Sequence, residues 1–199
     1  MTLGGTAMYA TEPDLPPLVA AAAQLAEHLG FDLCCLPAHG RLLQVLAAGR
    51  AGGHVGEVGT GCGCGVAWML SRSTQNTRIT TVEIDDERAA AAAALFSDHP
   101  NVTVLRGDWS EIVEHGPFDL FVLDGGPASG KSGGKPFDPA TVLEPGGALV
   151  LDDFTPMAGG PAMAAEADAA RRHWLKHPKL FTTEVQTTPT TSSLVAIRK

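Results

Sequence analysis

The stretch Glu57-Val58-Gly59-Thr60-Gly61-Cys62-Gly63 has the residue types and spacing best suited to chemistry. Three glycines alternate with other residues after an acid, and Gly65 follows two positions later. Glycines permit a tight strand-to-helix turn and let a ligand approach the backbone closely. The helix opening after such a turn offers free N–H groups to a carboxylate or phosphate. Farther along stands Glu83, in Thr81-Val82-Glu83-Ile84-Asp85. A carboxylate at the end of the next strand can accept hydrogen bonds from both hydroxyls of a ribose. The glycine spacing then separates classes of nucleotide ligand, because a dinucleotide fingerprint needs G-x-G-x-x-G/A. Counted from Gly59 the sixth position is Cys64, and from Gly61 it is Val66. A nicotinamide dehydrogenase is therefore a poor fit. Cys62 and Cys64 read as the small side chains such a turn requires.

These residues need elements to position them. Strands are expected at 54–58, 79–84, 102–105, 118–123 and 147–151, with helices beginning at Val66 and running through 89–96. Strands alternating with helices imply parallel pairing through right-handed crossovers. Two β-rich runs, 181–187 and 192–198, flank the turn Thr188-Pro189-Thr190-Thr191 and read as an antiparallel hairpin on the sheet edge. Before the first strand, helices are expected over 15–29, capped by Asp14 and stopped at Gly30, and over 39–48. The expected fold is α/β: a Rossmann-like, doubly wound, seven-stranded, mostly parallel sheet with a C-terminal antiparallel hairpin and N-terminal cap helices. Residues 1–52 form the cap and 53–199 the cofactor-binding domain, together one compact unit. The Gly-rich stretch 125–134, with Lys131 in it and Lys135 just beyond, follows a strand end and reads as a mobile loop over the site.

Composition narrows the classes. The chain has 199 residues, 44% hydrophobic and 18% charged, enough apolar material for a core without disulfides or a structural metal. Its four cysteines, Cys34, Cys35, Cys62 and Cys64, have neither zinc-finger nor C-x-x-C spacing. Residues 1–11 lack the basic start of a signal peptide, and the apolar stretch 18–29 is too short for a membrane span. These features imply a cytoplasmic protein with reduced thiols and no membrane partner. A formal net charge of −8 disfavours broad nucleic-acid binding.

With Glu83 in place, and Asp108-Trp109 after the third strand, the G-x-G-x-G turn resembles the class I S-adenosylmethionine-dependent methyltransferases. Within that superfamily the chain is most similar to the catechol and caffeoyl-CoA O-methyltransferase group, including its bacterial members. The motifs are His39-Gly40-Arg41-Leu42-Leu43, Glu57-Val-Gly-Thr-Gly, Val82-Glu83-Ile84-Asp85, Gly107-Asp108, Phe118-Asp119 through Asp124, and Leu143-Glu144 through Asp152-Asp153. The resemblance covers about residues 30–199. It implies S-adenosylmethionine as cofactor, with its carboxylate and amine near Glu57, Gly59 and Gly65, and Thr60, Gly61 and Gly63 in the same turn. It also implies the ribose on Glu83 beside Ile84, and the adenine bordered by Asp108 and Trp109. Asp124 is expected to serve the cofactor, catalysis and a metal. Asp124, Asp152 and Asp153 would be the ligands of a divalent cation, magnesium or manganese, both suited to hard oxygen donors.

The implied reaction is methyl transfer to an oxygen of a small molecule, aligned for in-line attack on the sulfonium methyl and assisted by the cation. Family habit implies a homodimer. Two departures stand out. The family usually has Asn where Asp153 stands, and commonly has a lysine where Pro127 stands. No lysine is therefore assigned as catalytic base. His39 is the one histidine at a suggestive place, and otherwise reads as a helix-cap or surface residue. Two other functions stay open. One is a tRNA hydroxyuridine O-methyltransferase, favoured by the basic cluster Arg171, Arg172, Lys176 and Lys179. The other is a non-catalytic cofactor-binding protein, allowed by the missing lysine.

Overall fold

The computed structural model describes residues 2–124, 127–131, 135–157 and 165–199. Half of the expected loop over 125–134, including Gly125, Gly126, Gly133 and Gly134, lies outside the described residues. Seven strands form one sheet: β1 His54–Val58, β2 Arg78–Glu83, β3 Val102–Arg106, β4 Phe118–Leu123, β5 Leu143–Phe154, β6 Leu180–Gln186 and β7 Ser192–Arg198. Their order is β3-β2-β1-β4-β5-β7-β6. β1 to β5 pair in parallel, and β7 lies antiparallel between β5 and β6. The helices are α1 Pro17–His28, α2 Pro37–Ala48, α3 Cys64–Leu70, α4 Asp86–Leu95 and α5 Ala165–Leu175. This is the expected Rossmann-like sheet with its C-terminal antiparallel pair.

Both faces of the sheet are covered, as parallel strands require. Leu120 and Val122 of β4, with Ala148 and Val150 of β5, face one core, which α1, α2 and α3 complete. Phe121 and Leu123, with Leu149 and Leu151, face the other, together with Ala170 and Trp174 of α5. Gly56 of β1 is required by this packing. A Cβ there would lie 2.6 Å from the Phe121 ring and 2.9 Å from Phe118. On the first face, Gly40 of α2 lets the buried Trp68 of α3 come close, since a Cβ would sit 2.2 Å from the indole. The Trp68 indole N–H donates to the Tyr9 hydroxyl at 3.0 Å, tying down the short 3-10 turn Thr6–Thr11.

Three local expectations are corrected. β5 begins at Leu143, not at 147. Leu143 pairs with Phe118, and the register then shifts so that Leu120 pairs with Ala148. Pro145 and Gly146, with φ +78 at Gly146, are tolerated inside the strand because they occupy that irregularity. Asp14 caps nothing. α1 starts at Pro17 after Pro16 in an extended conformation, with no side-chain cap, and Asp14 itself has φ +55. Helix α5 was not expected at all. Its charged residues dilute the apolar period, and only Ala170, Arg171 and Trp174 of its described side chains are buried.

The chain leaves β1 for β2 and β3 on one side, then returns to β4 on the other. In open α/β sheets the crevice at such a reversal, beyond the carboxyl ends of the strands, is where ligands bind. The carboxylates of interest stand at those ends: Glu57 in β1, Glu83 closing β2, Asp124 just after β4, and Asp152-Asp153 near the end of β5.

Candidate active site

The glycine turn is held by backbone and carboxylates together. Gly59, Gly61 and Gly63 have φ of +92, +54 and +91, where a side chain would be strained. The N–H groups of Gly59 and Thr60 both donate to the Val82 carbonyl, at 3.0 and 3.2 Å. Gly61 N–H donates to Glu83 Oε2 at 2.8 Å. The other oxygen, Glu83 Oε1, accepts from Asp85 N–H at 3.0 Å and from the Arg88 guanidinium at 2.8 Å. Arg88 in turn lies 5.0 Å from the Phe31 ring, and Phe31 covers Gly61. Glu83 is buried yet fully partnered, so its orientation is fixed before any ligand arrives.

Glu57 is buried deeper. It accepts from the Thr81 hydroxyl at 2.8 Å, and Thr81 is bonded to Thr60 at 2.6 Å. Its Oε1 lies against Gly65, where a Cβ would be 2.0 Å away. Burial, and then the charge of Asp124, push the Glu57 carboxyl up to about 8. Gly107 N–H donates to the Glu83 carbonyl at 2.9 Å, which brings Asp108 and Trp109 beside the end of β2. Asp108 is exposed and caps the 3-10 turn Trp109–His115. Bonds from the Ser110 N–H and hydroxyl hold its carboxyl below the ordinary range. Trp109 is half-buried against the second core, and Ile84 is 70% exposed.

Across the crevice Asp124, Asp152 and Asp153 each offer an oxygen, and all three oxygens lie within 4.8 Å of one another. Asp153 has φ +61, a conformation that short Asx side chains tolerate best among residues other than glycine. That preference accounts for either Asp or Asn at this position. Burial, with Asp152 adding to it, raises the Asp124 carboxyl above the usual range. Asp152 Oδ1 accepts from the Ser193 hydroxyl at 3.0 Å and lies 3.0 Å from His39 Nδ1. His39 Nδ1 is also 2.9 Å from Ser193 Oγ. Asp152 Oδ2 and His39 Nε2 are buried with no hydrogen-bond partner among the described residues. A buried, unpartnered carboxylate oxygen in a group of three carboxylates suits a cation ligand.

Several contributors carried no assigned role in the sequence reading. His39 is 1% exposed and bonded into the acid group, neither a cap nor a surface residue. Ser193 of β7 had no local signal at all. The Lys131 ammonium donates to the Asp152 backbone carbonyl and lies 5.2 Å from the Phe154 ring, so this lysine does reach the site. The Thr2 hydroxyl donates to Asp153 Oδ1, bringing the N-terminal residues over the same group. A cavity of about 490 Å³ lies elsewhere, between the turn Thr6–Thr11, α1 and Phe31, away from the strand ends. Two members of the basic cluster are ion-paired. Arg171 is buried and paired with Glu184 at 2.7 Å, and Lys179 is paired with Asp138 at 2.6 Å. Among the described residues, no helix is long and apolar enough to cross a membrane.

Residues 57–154 match a methyltransferase domain family. A Mycobacteroides abscessus protein assigned by name to the O-methyltransferases is 33% identical over 171 residues, covering 77% of each chain. The fold is shared with an O-methyltransferase from Bacillus cereus in complex with S-adenosylhomocysteine (SAH), at TM-score 0.77 and 16% identity, covering 98% of this chain and 96% of that one. It is shared too with the Streptomyces achromogenes O-methyltransferase TomG in complex with S-adenosylmethionine, at TM-score 0.73 and 19% identity, with the same coverage. The chain therefore belongs to the bacterial O-methyltransferase family of these relatives.

Proposed function

We propose that the protein moves the methyl group of S-adenosylmethionine to a hydroxyl oxygen of a small molecule, with a divalent cation held by Asp124, Asp152 and Asp153. The observation that carries this reading is the meeting of three carboxylates at the ends of β4 and β5, opposite a glycine turn built on Glu57 and Glu83. The turn would receive the methionine part of the cofactor, and Glu83 the ribose hydroxyls, with Arg88 sharing its Oε1. Asp108 and Trp109 would flank the adenine. Glu57 would face the cationic end of the cofactor, whose charge favours the ionised carboxylate.

The three aspartates fit a hard cation such as magnesium or manganese, because they supply only oxygen donors and Asp152 Oδ2 has no partner among the described residues. When bound, such a cation lowers the acceptor hydroxyl's pKa and orients it. The chain's own residues do the rest. His39 and Ser193 fix Asp152 by one oxygen. Lys131 brings positive charge to the backbone of the same residue. Phe31 lies over Gly61 on the turn side, and Thr2 meets Asp153 on the acid side. Burial of Arg171 against Glu184 takes one of the four charges of the basic cluster off the surface, which weighs against a tRNA substrate.

The direct experiment is a panel of vicinal diols with labelled S-adenosylmethionine, run with magnesium, with manganese and with a chelator. Label is expected on an acceptor oxygen only when cation is present. Tight SAH binding by calorimetry with no turnover on any diol would instead favour the non-catalytic reading. Absence of SAH binding would overturn the cofactor assignment itself.

A further inference from the structure

The four cysteines are the buried nucleophiles that methyl transfer does not use. They are not equivalent. Residues 31–36 cross the crevice as a strap, held to the N-terminal turn by bonds from the Thr6 hydroxyl to the Phe31 carbonyl at 2.6 Å and from the Tyr9 hydroxyl to the Cys35 carbonyl at 2.9 Å. On the strap's inner side Cys34 Sγ lies 3.0 Å from Cys64 Sγ, at the first position of α3 beside the glycine turn. The sulfurs are thus about 1 Å farther apart than in a disulfide, which lies near 2.05 Å. Cys35 Sγ instead faces the Tyr9 hydroxyl at 3.8 Å.

We propose that Cys34 and Cys64 are an oxidation site, converted by a hydroperoxide into a disulfide that fastens the strap to the glycine turn and shuts the cofactor cleft. The thiols have distinct roles. The Cys64 S–H donates to Cys34, and this bond, with the Thr6 hydroxyl, lowers the Cys34 thiol against the burial that raises it. Cys34 is the attacking sulfur, since the thiolate is the nucleophile. Burial pushes Cys62 up to about 12 and raises Cys35 well above the ordinary range. In the first step the Cys34 thiolate attacks a peroxide oxygen. An S–O bond forms, the O–O bond breaks, and the leaving hydroxide takes a proton to become water. In the second step Cys64 sulfur attacks the sulfenic sulfur. The S–S bond forms, the S–O bond breaks, and the second hydroxide leaves as water with the Cys64 proton. Two thiols lose two electrons and one hydrogen peroxide gains them.

The consequence for the cleft follows from its size. The space bounded by the strap, the glycine turn and Asp124 is only about 10 Å³, and Cys34 and Cys64 both line it. Small-molecule sites usually span about 300–1,000 Å³. The strap must therefore draw back to seat a cofactor, and a bond from Cys34 to Cys64 prevents that. This half of the inference rests on the cofactor reading above; the cross-link itself does not.

The test uses the full chain treated with hydrogen peroxide, with thiols counted after denaturation and the linkage mapped by mass spectrometry. The count should fall from four to two, with Cys34 joined to Cys64, and return to four with dithiothreitol. SAH should slow the loss at least tenfold. The oxidised protein should bind SAH at least tenfold more weakly than the reduced protein, and Cys34→Ser and Cys64→Ser should each abolish that sensitivity. Linkage through Cys35 or Cys62, or an unchanged count of four, overturns the site. An oxidised protein that binds SAH as tightly as the reduced one overturns the closure. A reduced protein that binds no SAH overturns the closure and the cofactor reading together, while the cross-link is still judged by the thiol count.

Discussion

The two sides of the crevice are built differently. The glycine-turn side is assembled from neighbours in sequence. Gly61 reaches Glu83 and Thr81 reaches Glu57 across single βα units, largely through backbone N–H groups and strand-end side chains. The acid side is assembled from the whole chain. Asp152 is fixed by His39 and Ser193, Asp153 is met by Thr2, and Lys131 closes on the Asp152 carbonyl. A cofactor common to a superfamily suits the first kind of construction, because backbone geometry survives side-chain change. An acceptor particular to one protein suits the second, where each contact is a separate side chain.

That contrast should be breakable one side at a time. The largest effect belongs to Asp152→Asn. It removes a charged oxygen from the acid group and should cost at least 100-fold in manganese affinity, read by paramagnetic resonance, while SAH affinity stays within twofold. Gly65→Ala should do the reverse. Its Cβ would meet the Glu57 carboxylate in a packed site. SAH affinity should drop about 30-fold, equivalent to about 2 kcal/mol, with manganese binding unchanged. If either substitution weakens both ligands equally, the two sides are not independent. His39→Ala comes next. It frees Asp152 to rotate and should cost about tenfold in manganese affinity, the lower end for partners of metal ligands. His39→Asn, which keeps an N–H near the Nδ1 position, should recover most of it. Equal loss in both variants would mean that His39 acts only by filling space.

The same contrast explains what could be read in the sequence. Glu57, the glycines and Glu83 were legible because strand, turn and acid follow one another within one βαβ unit. Asp124 and Asp152-Asp153 were legible only through resemblance, since no local pattern ties the ends of β4 and β5 together. His39 looked like a cap because its partner Ser193 lies 154 residues away. Arg171 looked like part of a basic face because sequence alone does not show Glu184 opposite it. The start of β5 was misplaced because Pro145-Gly146 normally ends a strand, and pairing of Leu143 with Phe118 beyond the bulge overrides that.

A last test probes the glycine-turn side without any ligand. Glu57 has its carboxyl raised to about 8 in the folded chain, mainly by burial, against about 4.3 when unfolded. A carboxyl raised by folding favours the folded state fully below its unfolded pKa, and that contribution is lost as pH rises through the folded value. Between pH 5 and pH 8 the unfolded chain releases a proton that the folded chain retains. Wild-type stability should therefore decline over this window relative to Glu57→Gln, by up to about 1.4 kcal/mol per pH unit. Chemical denaturation of both proteins at pH 5, 6.5 and 8 gives the difference directly and cancels the carboxylates they share. Parallel curves would mean that Glu57 is already ionised in the folded protein. The acid proposed to face the cofactor's cationic end would then stand charged in advance, instead of becoming charged as the ligand binds.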